Sequence, residues 1–422
     1  MNRLKKIWAE SKEEVIAGIT SFFAISYIII VNPLILADAG IPINLSVFAT
    51  IFASVIGCFI IGFWANIPIV LTPGMGINAF FTYTIVVNMG FSWQSAIGIS
   101  FLSSLIFLFI SFTPIVELLT EAIPSTLKTG ITVGIGLFLV QIGLEKAQLI
   151  QRGSNTFVEF GSLTNPHALL SIFGLLLSIF LFVKKINGAF FLGIIFTTIV
   201  GVLANIQDAA TIDVKLEYLK DYSSILFKPD FSQMFSIPFL LAVFSMSMIL
   251  IFESIGLLEG LIPQPHSLRR GLQATSVTAL ISALLGTSPT VAAAESAAGI
   301  ESGGKKGLTA IVAGFLFLLS LFFIPLLTYV PQAAIAPVII ITGSLMMKQL
   351  AVINYDDFTE WFPAFLIIVM IPFTGSIATG LSFGFIFYPL MKLFSNDQKN
   401  QNKIMYVLSL LFLINLIFSS TI

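Results

Sequence analysis

Residues 286–302 read Gly286-Thr287-Ser288-Pro289-Thr290-Val291-Ala292-Ala293-Ala294-Glu295-Ser296-Ala297-Ala298-Gly299-Ile300-Glu301-Ser302. The stretch lies between long apolar runs, yet it is too short and too polar to cross a bilayer as a plain helix. Pro289 interrupts any helix arriving from the run before it, and Ala292, Ala293 and Ala294 leave space around the backbone. Glu295 follows, with no basic residue close to it in sequence. A carboxylate held in hydrocarbon costs about 2.5–3.5 kcal/mol or more, so an acid in such a place is a functional candidate by default. If the stretch were helical throughout, Ala292, Ala298, Gly299 and Ser302 would share a face with Glu295, a carboxylate looking into a cavity. A wet loop between two spans is the plainer reading. Against it stands a second interrupted segment earlier in the chain, Thr72-Pro73-Gly74-Met75-Gly76-Ile77-Asn78.

The surroundings decide what such a segment is doing. Of 422 residues, 57% are hydrophobic and 10% charged, against roughly 25% charged in soluble proteins. Apolar runs long enough to span a bilayer recur from end to end, and they are continuous rather than alternating. This is an all-α polytopic membrane protein and not a β-barrel. A net charge of −1 offers nothing to nucleic acid. Cys58 is the sole cysteine and His167 and His266 the only histidines, so neither an internal disulfide nor a Cys2His2 metal site can form, and no cofactor is expected. The basic start (Arg3, Lys5, Lys6) runs into Lys12, Glu13 and Glu14 and then a full-length span, which is not a cleavable leader.

Spans are expected at 15–36, 45–63, 69–89, 95–113, 127–144, 167–183 and 188–205, then at 237–258, 266–284, 289–301, 307–327, 333–349, 359–374 and 376–392. A polar connection, 206–236, separates the two sets and carries Asp208, Asp213, Glu217, Asp221 and Asp230. A last apolar stretch, 404–420, is either a fifteenth span or an interfacial helix. With the N-terminus in the cytoplasm, fifteen of the twenty basic residues face inward, among them Lys128, Lys184, Lys185, Arg269, Arg270, Lys305, Lys306, Lys348, Lys392, Lys399 and Lys403. Lys146, Arg152, Lys215, Lys220 and Lys228 fall outside. That bias is the one expected of a protein inserted this way round.

Seven spans on each side of the connection make two inverted halves. The segment Leu119-Thr120 to Ile123-Pro124 resembles Leu327-Thr328 to Val330-Pro331, and each opens an apolar run with an interior glycine, Gly130 or Gly343. The third span of each half is the interrupted one. Paired Gly/Pro-broken segments at matching positions point to a transporter binding site at the repeat interface, because unwound backbone at that depth must line a cavity or be buried in protein.

One further acid lies deep in a span: Glu253, whose helical face carries Met246, Gly256 and Gly260, with Ser245 and Ser247 near. Glu259, a turn and a half on, is expected to be solvated. Two embedded glutamates without an embedded Lys or Arg suit a neutral or protonatable ligand rich in hydrogen-bonding edges. Helix N–H groups after a break face ligand acceptors, and a glutamate accepts from ligand N–H donors. Glu295, beside a half-helix start, is the expected ligand anchor, and Glu253, inside a continuous span, the expected proton carrier. No H-E-x-x-H, dinucleotide fingerprint or Walker lysine is present. The run Ser302-Gly303-Gly304-Lys305-Lys306-Gly307 reads as a cytoplasmic turn.

At these residues the chain also resembles the AzgA-like adenine/guanine/hypoxanthine permeases. The likeness is carried by Glu13-Glu14-Val15-Ile16-Ala17-Gly18-Ile19-Thr20, Tyr27-Ile28-Ile29, Val31-Asn32-Pro33, Pro73-Gly74-Met75-Gly76-Ile77-Asn78-Ala79-Phe80-Phe81, Gly286-Thr287-Ser288 with Glu295-Ser296-Ala297, and Ser376-Ile377-Ala378-Thr379-Gly380. It covers nearly the whole chain. The resemblance implies fourteen transmembrane segments in a seven-plus-seven inverted repeat, with short strands and half-helices in spans three and ten. On that pattern residues 1–205 form the first repeat, 206–236 an extracellular loop, 237–392 the second repeat and 393–422 a C-terminal segment. Spans 1–4 and 8–11 would form a core domain that moves against a gate domain of spans 5–7 and 12–14. The resemblance further implies a purine nucleobase as substrate, imported with a proton or another cation across the cell membrane, and it leaves the oligomeric state open, a homodimer included.

By motif position, Glu253 and Glu295 match the family's two acidic base-binding positions. Asn78, Ala79 and Phe80 match the half-helix start in span three, Ala293 and Ala294 the residues whose backbone faces the base, and Ser21 the polar position on the first helix. The chain departs from the pattern at Ile251-Phe252-Glu253-Ser254-Ile255-Gly256-Leu257, where the family shows Phe-Asp-Thr-x-Gly-Thr after a further acid. It departs again at Ser288-Pro289-Thr290-Val291-Ala292-Ala293-Ala294, which replaces Thr-Thr-Thr-Ser-Tyr. A larger and less polar site is expected. Another heterocycle or a small anion carried by the same architecture, or a membrane enzyme or channel, are the competing readings. An enzyme would have only Ser254 or Ser296 beside a glutamate.

Overall fold

The computed structural model describes residues 2–153, 158–186, 188–206, 214–262, 265–395 and 402–421. Asp208 and Asp213 of the polar connection, and Lys399, lie outside them. The chain opens with α1 (Asn2–Ile25) and α2 (Ile28–Asp38), followed by α3 (Ile43–Ile60). Next come β1 (Leu71–Pro73), α4 (Met75–Ala79, continuing in wider π-type turns to Asn88), α5 (Trp93–Phe112), α6 (Ile115–Ala122) and α7 (Ser125–Lys146). A hairpin of β2 (Ile150–Arg152) and β3 (Val158–Phe160) leads into α8 (Pro166–Val183) and α9 (Ala189–Leu203). The second part holds α10 (Ile237–Leu261), α11 (Pro265–Leu284), β4 (Thr290–Ala292), α12 (Ser296–Glu301), α13 (Leu308–Ser320), α14 (Gln332–Met346), α15 (Phe358–Thr374), α16 (Ile377–Phe394) and α17 (Lys403–Thr421). Among the described residues, nine helical stretches are long and apolar enough to cross a membrane, and three shorter ones are comparably apolar.

Starts and stops follow local chemistry. Ser92, Ser236, Asp357 and Ser376 cap α5, α10, α15 and α16, each accepting a backbone N–H of the first turn. Pro124 and Pro331 stand immediately before α7 and α14, where a missing N–H costs nothing. Gly286 ends the approach to the broken segment at φ +82°, and a Cβ there would lie 2.6 Å from the Ile225 carbonyl oxygen, so both backbone and space demand glycine. Gly136 and Gly343 face each other: a Cβ on either would come within 2.6 Å of the other's carbonyl oxygen, which lets α7 and α14 pack backbone to backbone.

Some local details differ from the sequence reading or add to it. The first span is not one helix, because the chain turns at Ser26 and Tyr27 between α1 and α2. Neither α6 nor the β2–β3 hairpin was expected. The stretch 404–420 forms α17, which packs on α16 and α10, with Asn415 Nδ2 donating to Ser245 Oγ at 3.1 Å. Helices α1, α2, α3, α5, α10, α11 and α13 pack largely among themselves, and α7, α8, α9, α14, α15 and α16 form a second set. The two interrupted segments lie within the first set, with α7 passing beside them.

Candidate functional site

The two interrupted segments meet. Strands β1 and β4 pair antiparallel, with Leu71 opposite Ala292, Thr72 opposite Val291 and Pro73 opposite Thr290. The Ala293 N–H donates to the Val70 oxygen at 2.9 Å and the Gly74 N–H to the Pro289 oxygen at 3.2 Å, which extends the ladder. Ser296 Oγ accepts from the Val70 N–H at 3.0 Å. Non-helical backbone inside an apolar bundle is thereby satisfied within the protein. Each strand then runs into a short helix, β1 into α4 through the extended Gly74 and β4 into α12.

Glu295 is the residue immediately before α12, and its side chain caps nothing on that helix. Ala292 therefore lies in β4, not on a helical face with Glu295, which corrects the shared-face expectation. The carboxylate Oε1 instead accepts a hydrogen bond from the Tyr27 hydroxyl. Tyr27 is fully buried at the turn between α1 and α2. In the sequence Tyr27 stands out only as part of the Tyr27-Ile28-Ile29 motif. Nothing in the local sequence marks a turn there, so its role as a donor to Glu295 was out of reach.

Glu253 lies against the other arm. A Cβ added at Gly76 would sit 3.2 Å from its Oε2, and one added at Gly74 would sit 3.5 Å from its Oε1. The two glycines thus make room for a carboxylate at the start of α4. Oε2 is buried and has no hydrogen-bond partner among the described residues, a costly arrangement unless a proton or a ligand completes it. Beside Gly256 and Gly260 the space is open. A narrow cleft next to Glu253 is lined by Lys128, Thr132, Ile135, Phe252, Leu257 and Met346.

The other expected residues fall into two groups. Asn78 is buried, its Oδ1 accepting from Ser288 Oγ across the two segments while its Nδ2 finds no partner. Ser21 is buried against α12, close enough that a Cβ on Gly299 would overlap its Oγ. Ala294 is exposed, whereas Ala293 is 6% exposed. Ala79 and Phe80 are fully buried, so their side chains face packed protein rather than open space.

The expectation that no basic residue approaches the acids needs correcting. Lys128 lines the Glu253 cleft, where it pairs with Glu259 at 3.2 Å and donates to the Thr120 oxygen at 3.0 Å. Glu259 is therefore ion-paired rather than merely solvated. Lys392 is also buried, held by Glu360 at 2.7 Å and Asp357 at 3.2 Å. Both cations are engaged by carboxylates, which neutralises them locally.

Two paired short strands, each followed by a short helix inside a bundle of apolar helices, belong to a multi-pass membrane protein of transporter architecture. The fold is shared with the transmembrane domain of the cyanobacterial bicarbonate transporter BicA (TM-score 0.64, 16% identity, 88% of this chain and 97% of that one). It is shared also with the murine anion transporter Slc26a9 in the inward-facing state (TM-score 0.66, 13% identity, 91% and 68%). At these identities the likeness is one of fold alone.

The family is given by sequence. A family model described as the permease family matches residues 12–383. The nucleobase transporter PlAzg2 of Paenibacillus larvae is 41% identical over 90% of this chain and 77% of its own length. The guanine/hypoxanthine permease PbuO of Bacillus subtilis is 36% identical over 99% of both chains. The adenine permease AdeP of Escherichia coli is 32% identical over 99% and 95%. This chain belongs to the permease family, among the AzgA-like members that its motifs resemble.

Proposed function

We propose that this protein imports purine nucleobases (hypoxanthine, guanine or adenine) across the cell membrane by proton symport with alternating access. The reading rests on one observation: each of two embedded carboxylates lies at the start of one of the two short helices, Glu253 at α4 and Glu295 at α12. A purine presents N–H donors and ring acceptors around its edge, and carboxylates beside free helix N–H groups complement both. The relatives named for guanine, hypoxanthine and adenine transport support the choice of ligand.

In this reading Glu295 anchors ligand N–H groups and Glu253 gains and loses the coupling proton. Ala293, Ala294, Asn78 and Ser21 shape the site, with Ala79 and Phe80 supporting the α4 start from behind. The chain crosses fourteen times as inverted repeats, 1–205 and 237–392, with its N-terminus in the cytoplasm. The helix set built on α1–α5 and α10–α13 acts as the core, and the set of α7–α9 and α14–α16 as the gate. The test is competition uptake in proteoliposomes with an imposed pH gradient, using a panel of purines, pyrimidines and small anions. Purines should compete and the gradient should drive accumulation. Competition by anions or pyrimidines alone would sink the purine reading, and accumulation indifferent to pH would sink proton coupling.

A further inference from the structure

Helix α7 is tied to the opposite helix set at both of its ends. Near its start, Lys128 Nζ lies 3.2 Å from Glu259 Oε2, at the end of α10. At its finish, Lys146 Nζ lies 2.7 Å from Asp38 Oδ2, the last residue of α2. The Tyr83 hydroxyl, on the continuation of α4, donates to that same oxygen at 2.7 Å. Eighteen residues of α-helix separate the two lysines, about 27 Å. Between them α7 passes the site: Ile135 sits where a Cβ on Gly76 would touch it at 2.8 Å, and Phe138 meets the Tyr83 ring edge-on at 6.2 Å. Lys128, Thr132, Ile135, Leu139, Ile142 and Lys146 recur at spacings of three and four, a single stripe along the helix.

We propose that Lys128 and Lys146 are opposing latches that set the side to which the site opens, the Lys128–Glu259 pair closing the inner mouth and the Lys146–Asp38 pair the outer one. The proposal rests on the transport reading above, in which the two helix sets move against each other. A continuous helix held at both ends of the site cannot part from its neighbours at one end without straining or breaking the pair there, while the other pair acts as the pivot. Both pairs are partly buried, with lysine side chains 14% and 15% exposed and their acids 36% and 37% exposed. Pairs of this kind are weak enough to break in every cycle, yet able to bias two states several-fold.

The test uses the full chain in proteoliposomes with Cys58 replaced by Ala and single reporter cysteines on α7, Thr132→Cys for the inner mouth and Phe138→Cys for the outer. Each reporter is titrated with a membrane-impermeant maleimide from its own side. Lys146→Met should speed Phe138→Cys labelling and slow Thr132→Cys labelling by about three- to tenfold, and Lys128→Met should do the reverse. Lys146→Arg should restore the wild-type rates. If a methionine variant does not fold, the swapped pair Asp38→Lys with Lys146→Asp serves in its place and should label as wild type does. Shifts in the same direction for both variants, no shift in either, or a swapped pair with an opened outer mouth would overturn the latch. Hypoxanthine uptake by the wild type is measured in parallel, and its failure would count against the purine reading while the labelling directions still judge the latch.

Discussion

The Tyr27 hydroxyl donates to the Glu295 carboxylate, joining the turn between α1 and α2 to the start of α12. Removing the phenol oxygen leaves one oxygen of a partly buried acid without its donor, a loss of about 1 kcal/mol. Tyr27→Phe should therefore lower the melting temperature in detergent and weaken purine binding by about five- to tenfold, as the carboxylate loses its fixed orientation. Calorimetric titration measures the second effect. An unchanged Kd would reduce Tyr27 to a packing residue.

The two glutamates should separate cleanly. Glu295→Gln should abolish purine binding, because a carboxamide cannot accept two ligand hydrogen bonds as a carboxylate does. Glu253→Gln imitates the protonated acid, so binding should persist while pH-driven accumulation is lost and binding no longer varies between about pH 5 and 8. Thermal-shift titrations with hypoxanthine, guanine and adenine, alongside uptake, distinguish them. Retained accumulation in Glu253→Gln, or wild-type binding in Glu295→Gln, would reverse the assignment.

Adjacent alanines should respond differently to bulk. Ala294 is exposed, so Ala294→Leu should fill the site and block binding with little loss of folded protein. Ala293 is 6% exposed and its N–H belongs to the strand ladder, so Ala293→Leu should cost about 1–3 kcal/mol of stability through overpacking. Gel-filtration recovery and ligand binding for both variants decide the matter. Normal uptake by a well-folded Ala294→Leu protein would move the site elsewhere.

Orientation is open to direct measurement. A cysteine at Met89, in the turn after the α4 continuation, should label from outside intact cells, and one at Lys305, in the turn after α12, only after permeabilisation. Both side chains are exposed. Gly304 is a poorer choice, since a Cβ there would meet Thr309 Oγ1 at 2.8 Å. Labelling of both positions from outside would exclude the inverted arrangement.

Asp230, in the connection before α10, accepts from the Ser232 N–H and from the hydroxyls of Ser232 and Ser95, which hold its carboxyl below the ordinary carboxylate range. A depressed folded value means that its contribution is complete above the unfolded value and is lost as the pH falls through the folded one. Asp230→Asn should therefore melt lower than wild type at pH 7, with the gap closing as the pH drops below about 4. A gap that widened in acid would contradict this bonding.

Composition and pattern carried much of the architecture. Lipid forces long apolar runs, so the helices α3, α5, α7, α8 and α10 fall close to the spans read from sequence. Proline and glycine marked the two interruptions in the sequence, although the helical turns before them end earlier, at Ala65 and Leu284, and Pro33 and Pro337 sit inside helices. Glu253 and Glu295 were legible as well, since an acid is rare in apolar sequence. Only the tertiary structure decided what those acids touch. Tyr27 and Glu295 are 268 positions apart, and Glu253 reaches Gly74 and Gly76 only because α10 packs beside α4. Lys128 and Lys146 read as ordinary basic residues at the ends of a span. Their partners, Glu259 and Asp38, lie on helices remote in sequence, and hydrophobic periodicity records which face of a helix is apolar but not which helix it meets.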